Sequence, residues 1–526
     1  MEHDKNPMTD RVRLVILAVV LCLAPILSQP VAAEPLFQRE NPIVWELRRL
    51  YQHAGYTAPI DSYPVSRGNL LFHANRLLER TNNPDIAART TTLIEELQLP
   101  KDRLRLSADI QVHGKVDSRS PADDLPGDYA RTYYANPPWL TTHVYLEMPD
   151  TFAISVRDER QRRFRDIDHI NAPISTENNS IREGFVSTHL GPVDITFGRQ
   201  NIEIGPSPFS SFGVSPDVPF LDALKVDGQM GPLSMTYFAS TLENRQSYGD
   251  PPITNENTDF YNYDRNTILF NLHYFSYSFG RWRVGIGSHI IIAREMNEFH
   301  MADFFPAANW HNQNLVPNNH ALFSDVSWIL RPGLELYGTM GLDDINGNTI
   351  GINDDEEIPT IYAFSLGAAG SRRSSFGVID TAVEIGTTHY LWGNFDEGDE
   401  LARANYRMDL SGTNRSMPLT GRYGPGVLWL NAAVGVQATR HLGVDWQLEV
   451  VSRNTLADFQ TEYKKNDDIA SAARHTTVYN SLRIAIIPRP WVTVAFTPAF
   501  RAGDDGFEPS ISAELVMQLH RQRFAE

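Results

Sequence analysis

From about residue 104 onward, apolar and polar side chains alternate with a period of two. Val444, Trp446, Leu448 and Val450 interleave with Asp445, Gln447 and Glu449. Ile268, Phe270, Leu272 and Tyr274 interleave with Leu269, Asn271 and His273, and Leu334, Leu336 and Met340 with Glu335, Tyr337 and Thr339. Successive side chains of a strand point to opposite faces, so each segment presents one apolar and one polar face. A wall between lipid and a wet interior requires that arrangement. A soluble sandwich alternates as well, so the connections must decide.

The pattern predicts eighteen strands, near 105–116, 142–149, 151–157, 183–190, 193–202, 220–228, 232–241, 265–277, 281–293, 321–330, 333–342, 359–369, 375–388, 426–438, 442–453, 475–487, 490–502 and 510–520. Every second junction carries turn residues: Gly191-Pro192, Gly231-Pro232, Phe279-Gly280, Arg331-Pro332 and Pro488-Arg489. The junctions between them are long, among them 117–141, 158–182, 242–264, 294–320 and 389–425. Alternation of short and long connections puts all the long loops at one end. Bacterial outer-membrane barrels have that asymmetry and an even strand number. The fold class expected is therefore an all-β transmembrane antiparallel β-barrel of about 18 strands. Because the first strand feeds a long loop, both termini are expected in the periplasm. The last strand, with Leu515, Met517 and Leu519 on one face, fits, although Phe524 is followed by Ala525 and Glu526 instead of ending the chain.

Before residue 104 the period changes to that of a helix. Asn41 precedes Pro42 as an N-cap, Ile43, Leu47, Leu50 and Tyr51 follow at helical spacing, and Gly55 is a natural stop. A second helix follows Ser66, with Leu70, Leu71, Ala74, Leu77 and Leu78. A third opens at Asn83-Pro84, carries Ile86, Leu93, Ile94 and Leu97, and ends before Pro100. Three helices apolar on one side can pack on themselves or plug something larger, and the pattern leaves both open.

At the N-terminus Arg11 and Arg13 precede the apolar stretch Leu14–Leu27, and Val31, Ala32 and Ala33 follow. A charged start, a short apolar run and a small-residue exit read as a secretory signal peptide cut after Ala33. Pro25 interrupts a run already too short to span a bilayer. The expected divisions are thus 1–33 signal peptide, 34–103 periplasmic helical segment and 104–526 barrel. Cys22, the one cysteine, falls in the leader, so the mature chain has no thiol for a disulfide or metal site. Lys5, Arg11 and Arg13 balance Glu2, Asp4 and Asp10, so the mature chain keeps the whole net charge of −18. Such acidity argues against nucleic acid as a partner. Mean hydropathy is −0.32, and no later run approaches a membrane-spanning helix.

Candidate chemistry is sparse. There is no nucleophile elbow, no P-loop, no His-Glu-x-x-His and no carboxylate pair singled out by spacing, so no catalytic residue and no metal site is expected. Sixteen histidines are scattered, several of them in loops (His300, His311, His320, His389), without ligand spacing. Arg160, Arg162, Arg163 and Arg165 form a basic run beside Asp158, Glu159, Asp166 and Asp168. It is either a solvated loop or an anion site, since guanidinium forks match carboxylates and phosphates. Asp343, Asp344, Asn346, Asn348, Asp354, Asp355, Glu356 and Glu357 cluster oxygens that suit Ca²⁺, but without EF-hand spacing, and no cofactor is expected. Tyr390, Trp392, Phe395, Tyr406 and Tyr423 populate the loop 389–425. They can stack on sugar faces, pack the loop or belong to a membrane girdle.

The stretch Phe197-Gly198-Arg199-Gln200-Asn201-Ile202-Glu203-Ile204-Gly205-Pro206-Ser207 resembles the Gly-[Lys/Arg]-Gln … Gly-Pro segment of Wzi-type capsule assembly proteins. Phe209, Ser210, Ser211, Val214, Ser215, Pro216, Pro219 and Leu221 are similar to its continuation, and Tyr63-Pro64-Val65-Ser66 to the family's helical segment. Ile204 stands where the family usually has tryptophan. The resemblance implies a monomeric, non-enzymatic outer-membrane barrel that binds or organises surface polysaccharide. Its expected partners are that polymer, outer-membrane lipid and the barrel assembly machinery. The candidate polysaccharide-binding residues are Arg160, Arg162, Arg163, Arg165, Arg199, Gln200 and Trp392. Arg199 shares the outward parity of Phe197, but Gly198 permits a bulge, so an interior position is expected. The competing reading is a porin or substrate-specific channel.

Overall fold

A computed structural model describes residues 31–32, 36–98, 104–118, 138–148, 152–161, 178–242, 267–294, 300–304, 318–345, 359–394, 406–409, 416–457, 459, 465–504 and 506–525. The signal-peptide expectation, with Cys22, falls on residues outside that set except for Val31–Ala32, which pair with Leu190 and His189.

Eighteen long antiparallel strands make the wall: β1 Leu104–Asp117, β2 Leu140–Met148, β3 Phe152–Gln161, β4 Asn178–Leu190, β5 Val193–Gln200, β6 Leu221–Met230, β7 Leu233–Leu242, β8 Thr267–Phe279, β9 Trp282–Arg294, β10 Asn318–Arg331, β11 Leu334–Asp344, β12 Ile361–Ser374, β13 Gly377–Thr388, β14 Val427–Thr439, β15 Leu442–Asn454, β16 Arg474–Arg489, β17 Val492–Gly503 and β18 Gly506–Ala525. Each pairs with its sequence neighbour, and β18 pairs with β1 from Ser512↔Asp117 to Ala525↔Leu104, so the sheet closes into a barrel. Closure leaves no unpaired edge.

Two-residue turns join β4–β5, β6–β7, β8–β9, β10–β11, β12–β13, β14–β15 and β16–β17, all at one end. The long connections lie at the other end, with one exception. β17 and β18 are joined by a tight turn where a longer loop, 503–509, is expected from the sequence. Gly503 and Gly506 pair directly across it, and Gly506 sits at φ +119°, a conformation open to glycine.

Outward positions carry the apolar set. Val116, Phe197, Ile286 and Leu366 project from the wall, and aromatic rings gather at the tight-turn end: Phe279, Phe376, Trp491, and Trp282 stacked on Trp328 at 5.1 Å. An apolar band bounded by an aromatic girdle is the exterior of a lipid-embedded barrel. No helix among the described residues is long and apolar enough to cross a membrane.

The helical segment forms as its capping residues dictate. Asn41 caps α1 (Pro42–Ala54) through Ile43 N, Ser66 caps α2 (Arg67–Arg80) through Asn69 N, and Asn83 caps α3 (Pro84–Leu97) through Asp85 N and Ile86 N. Gly55 ends α1 in the left-handed region at φ 82°. Both packing alternatives hold at once. Val44, Leu47, Leu50, Leu70, Leu77 and Leu93 form a core within the segment, and the segment also plugs the barrel at its tight-turn end. Gly333 N–H donates to Gln52 O (3.1 Å), Thr57 N–H to Gly280 O (3.3 Å) and Arg76 to Gly231 O (2.5 Å). Deeper in, Arg283 of β9 bridges Asp61 of the plug and Asp325 of β10 (2.6 Å to the latter). Asp194 of β5 accepts from Ser66 and Asn69, each at 2.6 Å, and Lys225 of β6 donates to Pro64 O at 2.9 Å.

The β5–β6 connection runs through the lumen. Glu203–Ile204 pair with Ser62–Tyr63 of the plug, while Ser211 O accepts from Gly421 N–H (2.7 Å) and Ser215 N–H donates to Leu419 O (2.6 Å) in the β13–β14 connection. Ser207 reaches across to Glu384 of β13. Ile202, Ile204, Phe212, Val214 and Val218 are buried in the main core together with Trp392, Tyr406, Tyr423 and Trp429. Inward glycines make room for these rings: a Cβ at Gly341 would lie 2.3 Å from Trp392, and one at Gly386 2.2 Å from Trp429. One side of the barrel is therefore filled, and the other encloses a cavity.

Candidate functional site: a lumen cavity floored by the first helix

The cavity has a volume of about 940 Å³ and is walled by β11 to β18 and β1. α1 reaches it by its helical repeat. Val44, Leu47, Leu50 and Tyr51 turn into the helical core, so Pro42, Trp45, Arg48, Arg49 and Gln52 occupy the opposite face and line the cavity. Pro206, Pro208 and Phe209 of the lumen-crossing segment form its side. Trp45, 39% exposed, is a large apolar ring left open on a polar helix face, with the Arg49 guanidinium 5.7 Å from its centroid.

Five cations (Arg39, Arg48, Arg49, Lys115, Arg483) and five acids (Glu40, Glu335, Asp380, Asp445, Glu514) line the cavity. Arg49 lies 3.6 Å from Asp380, and Arg483 bridges Asp445 (3.7 Å) and Glu514 (3.6 Å), whereas Arg39 donates to Glu203 (2.8 Å), which is not part of the lining. Arg39 also donates to Gly205 O (2.7 Å) and Pro206 O (3.2 Å), fixing the crossing segment to the plug. Burial pushes the Glu203 carboxyl pKa up, and the Arg39 charge pulls against that rise. The lining combines apolar and aromatic surface with polar side chains and equal numbers of cations and acids, a chemistry that can meet both hydroxyl groups and an apolar face.

None of the described sequence-stated candidates lines this cavity. Arg160 belongs to β3, which continues to Gln161 where a loop from 158 is expected; it is exposed and lies 3.8 Å from Asp158. Arg162, Arg163 and Arg165 lie outside the described residues. Arg199 does not turn inward. The β5–β4 and β5–β6 registers run unbroken through Gly198, whose Cβ would lie 2.3 Å from Gly184 O, and Arg199 stays on the outer face in a bidentate pair with Asp222 (2.8 and 2.7 Å). The glycine permits close strand approach instead of a bulge. Gln200 is fully buried, and neither of its side-chain amide atoms has a hydrogen-bond partner among the described residues.

Trp392 is fully buried, donating to Thr420 O (3.3 Å) and packing edge-on against Phe212, so its ring presents no face to a sugar. Tyr390, Tyr406 and Tyr423 are buried beside it, and Phe395 lies outside the described residues. The acidic loop is described only as far as Ile345; Asp343 is buried and accepts from Gly393 N–H at 2.9 Å. Among the described residues no three His, Cys, Asp or Glu side chains converge as for a metal.

On the inner wall of β2–β4, the Ser155 hydroxyl donates to Glu183 (2.8 Å) and meets His143 Nε2 at 2.7 Å. The carboxylate sits on the hydroxyl instead of the far ring nitrogen, and Ser155 is fully buried. That is not the order of a nucleophile, a base and its orienting acid.

Fold and interior define an 18-stranded outer-membrane-type β-barrel with an N-terminal helical plug. Among solved structures, the chain is similar to Wzi of Escherichia coli, an outer membrane protein involved in group 1 capsule assembly and described as a carbohydrate-binding β-barrel. The TM-score is 0.58 at 11% identity, over 92% of this chain and 99% of that one. OccD3 (OpdP) of Pseudomonas aeruginosa gives 0.41 at 11% identity, over 80% and 92%. OpdK of the same organism, solved with vanillate, gives 0.42 at 9% identity, over 81% and 100%. No protein-family model and no curated protein matches the sequence.

Proposed function

We propose that this chain is an exported outer-membrane barrel that binds or organises a surface polysaccharide, without catalysing a reaction. In this reading the leader is removed after Ala33, and the tight-turn end, the plug and both termini face the periplasm. The observation that carries it is the lumen-crossing segment 203–218, tied at one end to the plug through Arg39 and Asp61 and at the other to Leu419 and Gly421. A diffusion pore needs a clear path, and this segment occupies it on the β4–β13 side. What is left is a cavity with a carbohydrate-compatible lining and a helix across it. The carbohydrate binding reported for Wzi, on a similar fold, supports the same reading.

Planar-bilayer recording tests it. The purified barrel is expected to give no steady current, whereas large stable conductance would replace this reading with the channel one. Deleting the gene should also strip polysaccharide from the cell surface, and an unchanged polymer coat would count against it.

A further inference from the structure

We infer that the polymer is held inside the lumen, on the exposed face of α1, and that the segment held there carries no net charge. This rests on the polysaccharide reading above and names the site and the ligand class within it. Ligand pockets span about 300–1,000 Å³; at about 940 Å³ this cavity is at the upper end and has room for several linked sugars.

Three observations converge. First, Trp45 is exposed although it lies on a helix whose Val44, Leu47, Leu50 and Tyr51 are buried, and it opens into the cavity. An exposed indole costs hydration free energy unless something covers it, and the flat apolar face of a sugar ring is a cover that leaves its hydroxyls pointing sideways. Second, those hydroxyls would meet a surround of Gln447, Ser481, Thr497 and Ser512 from β15 to β18, short polar side chains that can both donate and accept. Third, the charged side chains of the lining number five against five, and two of the cations, Arg49 and Arg483, already lie 3.6–3.7 Å from lining carboxylates. A neutral sugar leaves those pairs intact. A uronate or phosphate-bearing one would have to compete for a paired guanidinium and strand its carboxylate partner, which is costly away from bulk water. Arg160, the described arginine of the basic run, belongs to β3 and is not part of this lining.

At the long-loop end β17 and β18, which contribute Thr497, Ser512 and Glu514 to the lining, are joined by the tight Gly503–Gly506 turn.

The test uses the whole barrel in detergent and, as probe, the producing cell's own surface polysaccharide, mildly hydrolysed and divided by anion exchange into neutral and acidic fractions. The neutral fraction should bind about tenfold more tightly than the acidic one, as a balanced lining selects against added charge. Trp45→Ala should weaken that binding by about tenfold, the scale of losing an aromatic hot spot, and Trp45→Phe should restore most of it. Independently, a maleimide should label Gln447→Cys, and the neutral fraction should slow that labelling. Neutral-fraction binding indifferent to Trp45→Ala, with no protection at Gln447→Cys, overturns the lumen site while leaving the polysaccharide reading standing. Preference for the acidic fraction overturns the charge assignment. If neither fraction binds the wild-type barrel, the polysaccharide reading falls, and the lumen site with it.

Discussion

At the scale of single residues, strand parity separates two fates for neighbouring positions. Gln447 lines the cavity, whereas Leu448 pairs with Ala432 and Asn480 on the face that carries the exposed Leu430. Leu448→Arg should impair assembly into lipid vesicles by about 2–4 kcal/mol if it sits near the midplane. Gln447→Arg should assemble normally, and equal behaviour would mean the faces are reversed. Arg283 tests another kind of position. It is buried between Asp61 and Asp325, and Arg283→Met would leave both carboxylates unpaired. Docking of the plug should weaken by about 3–5 kcal/mol, read as faster proteolysis of the helical segment in the purified barrel; unchanged resistance would show that the pair does not anchor it. Parity is legible because it needs only a period of two. Trp392 was not legible as core, and Arg199 not as outward, because both depend on what a distant segment does. Trp392 is buried by Phe212, 180 positions earlier, and Arg199 is held outside by a register that Gly198 does not break.

At the scale of elements, the helices were readable to within a few residues because each begins with a side chain that caps it: Asn41, Ser66 and Asn83. What they pack against was not. The face of α1 that meets the cavity carries Trp45 among Arg48, Arg49 and Gln52, and an aromatic ring set in a polar helix face is the one signal by which the sequence could have marked the site. α2 adds a pH dependence. Burial holds the pKa of His73 down at about 3, from an ordinary 6.5, and its Nδ1 has no hydrogen-bond partner among the described residues. The unfolded segment therefore takes up a proton that the folded one refuses. The neutral, folded form is fully favoured above pH 6.5 and loses ground as pH falls toward 3. In hydrogen exchange corrected for intrinsic rates, the helical segment should lose protection over that window, and His73→Gln should flatten the loss. Superimposable profiles for the two proteins would remove His73 from the account.

At the scale of the whole molecule, orientation follows from the end at which the short turns lie. If that end is periplasmic, protease added to intact cells should cut in the β13–β14 connection and spare residues 42–97. Cleavage within the helices on whole cells would invert the topology. The exterior band and the even strand number were legible because they repeat eighteen times, while the filling of the lumen happens once. The meeting of β1 with β18 also sets an order in time. That seam uses β18, the last of the eighteen wall strands in sequence order, so it zips only after the other seventeen have been made. The helices and the crossing segment are made earlier, and they are gripped by β5, β6, β9 and β10 on their way around the wall. Sequence order therefore lets the contents be in place before the container shuts, and a chain stopped short within β18 would keep every residue of these plug contacts while losing the seam.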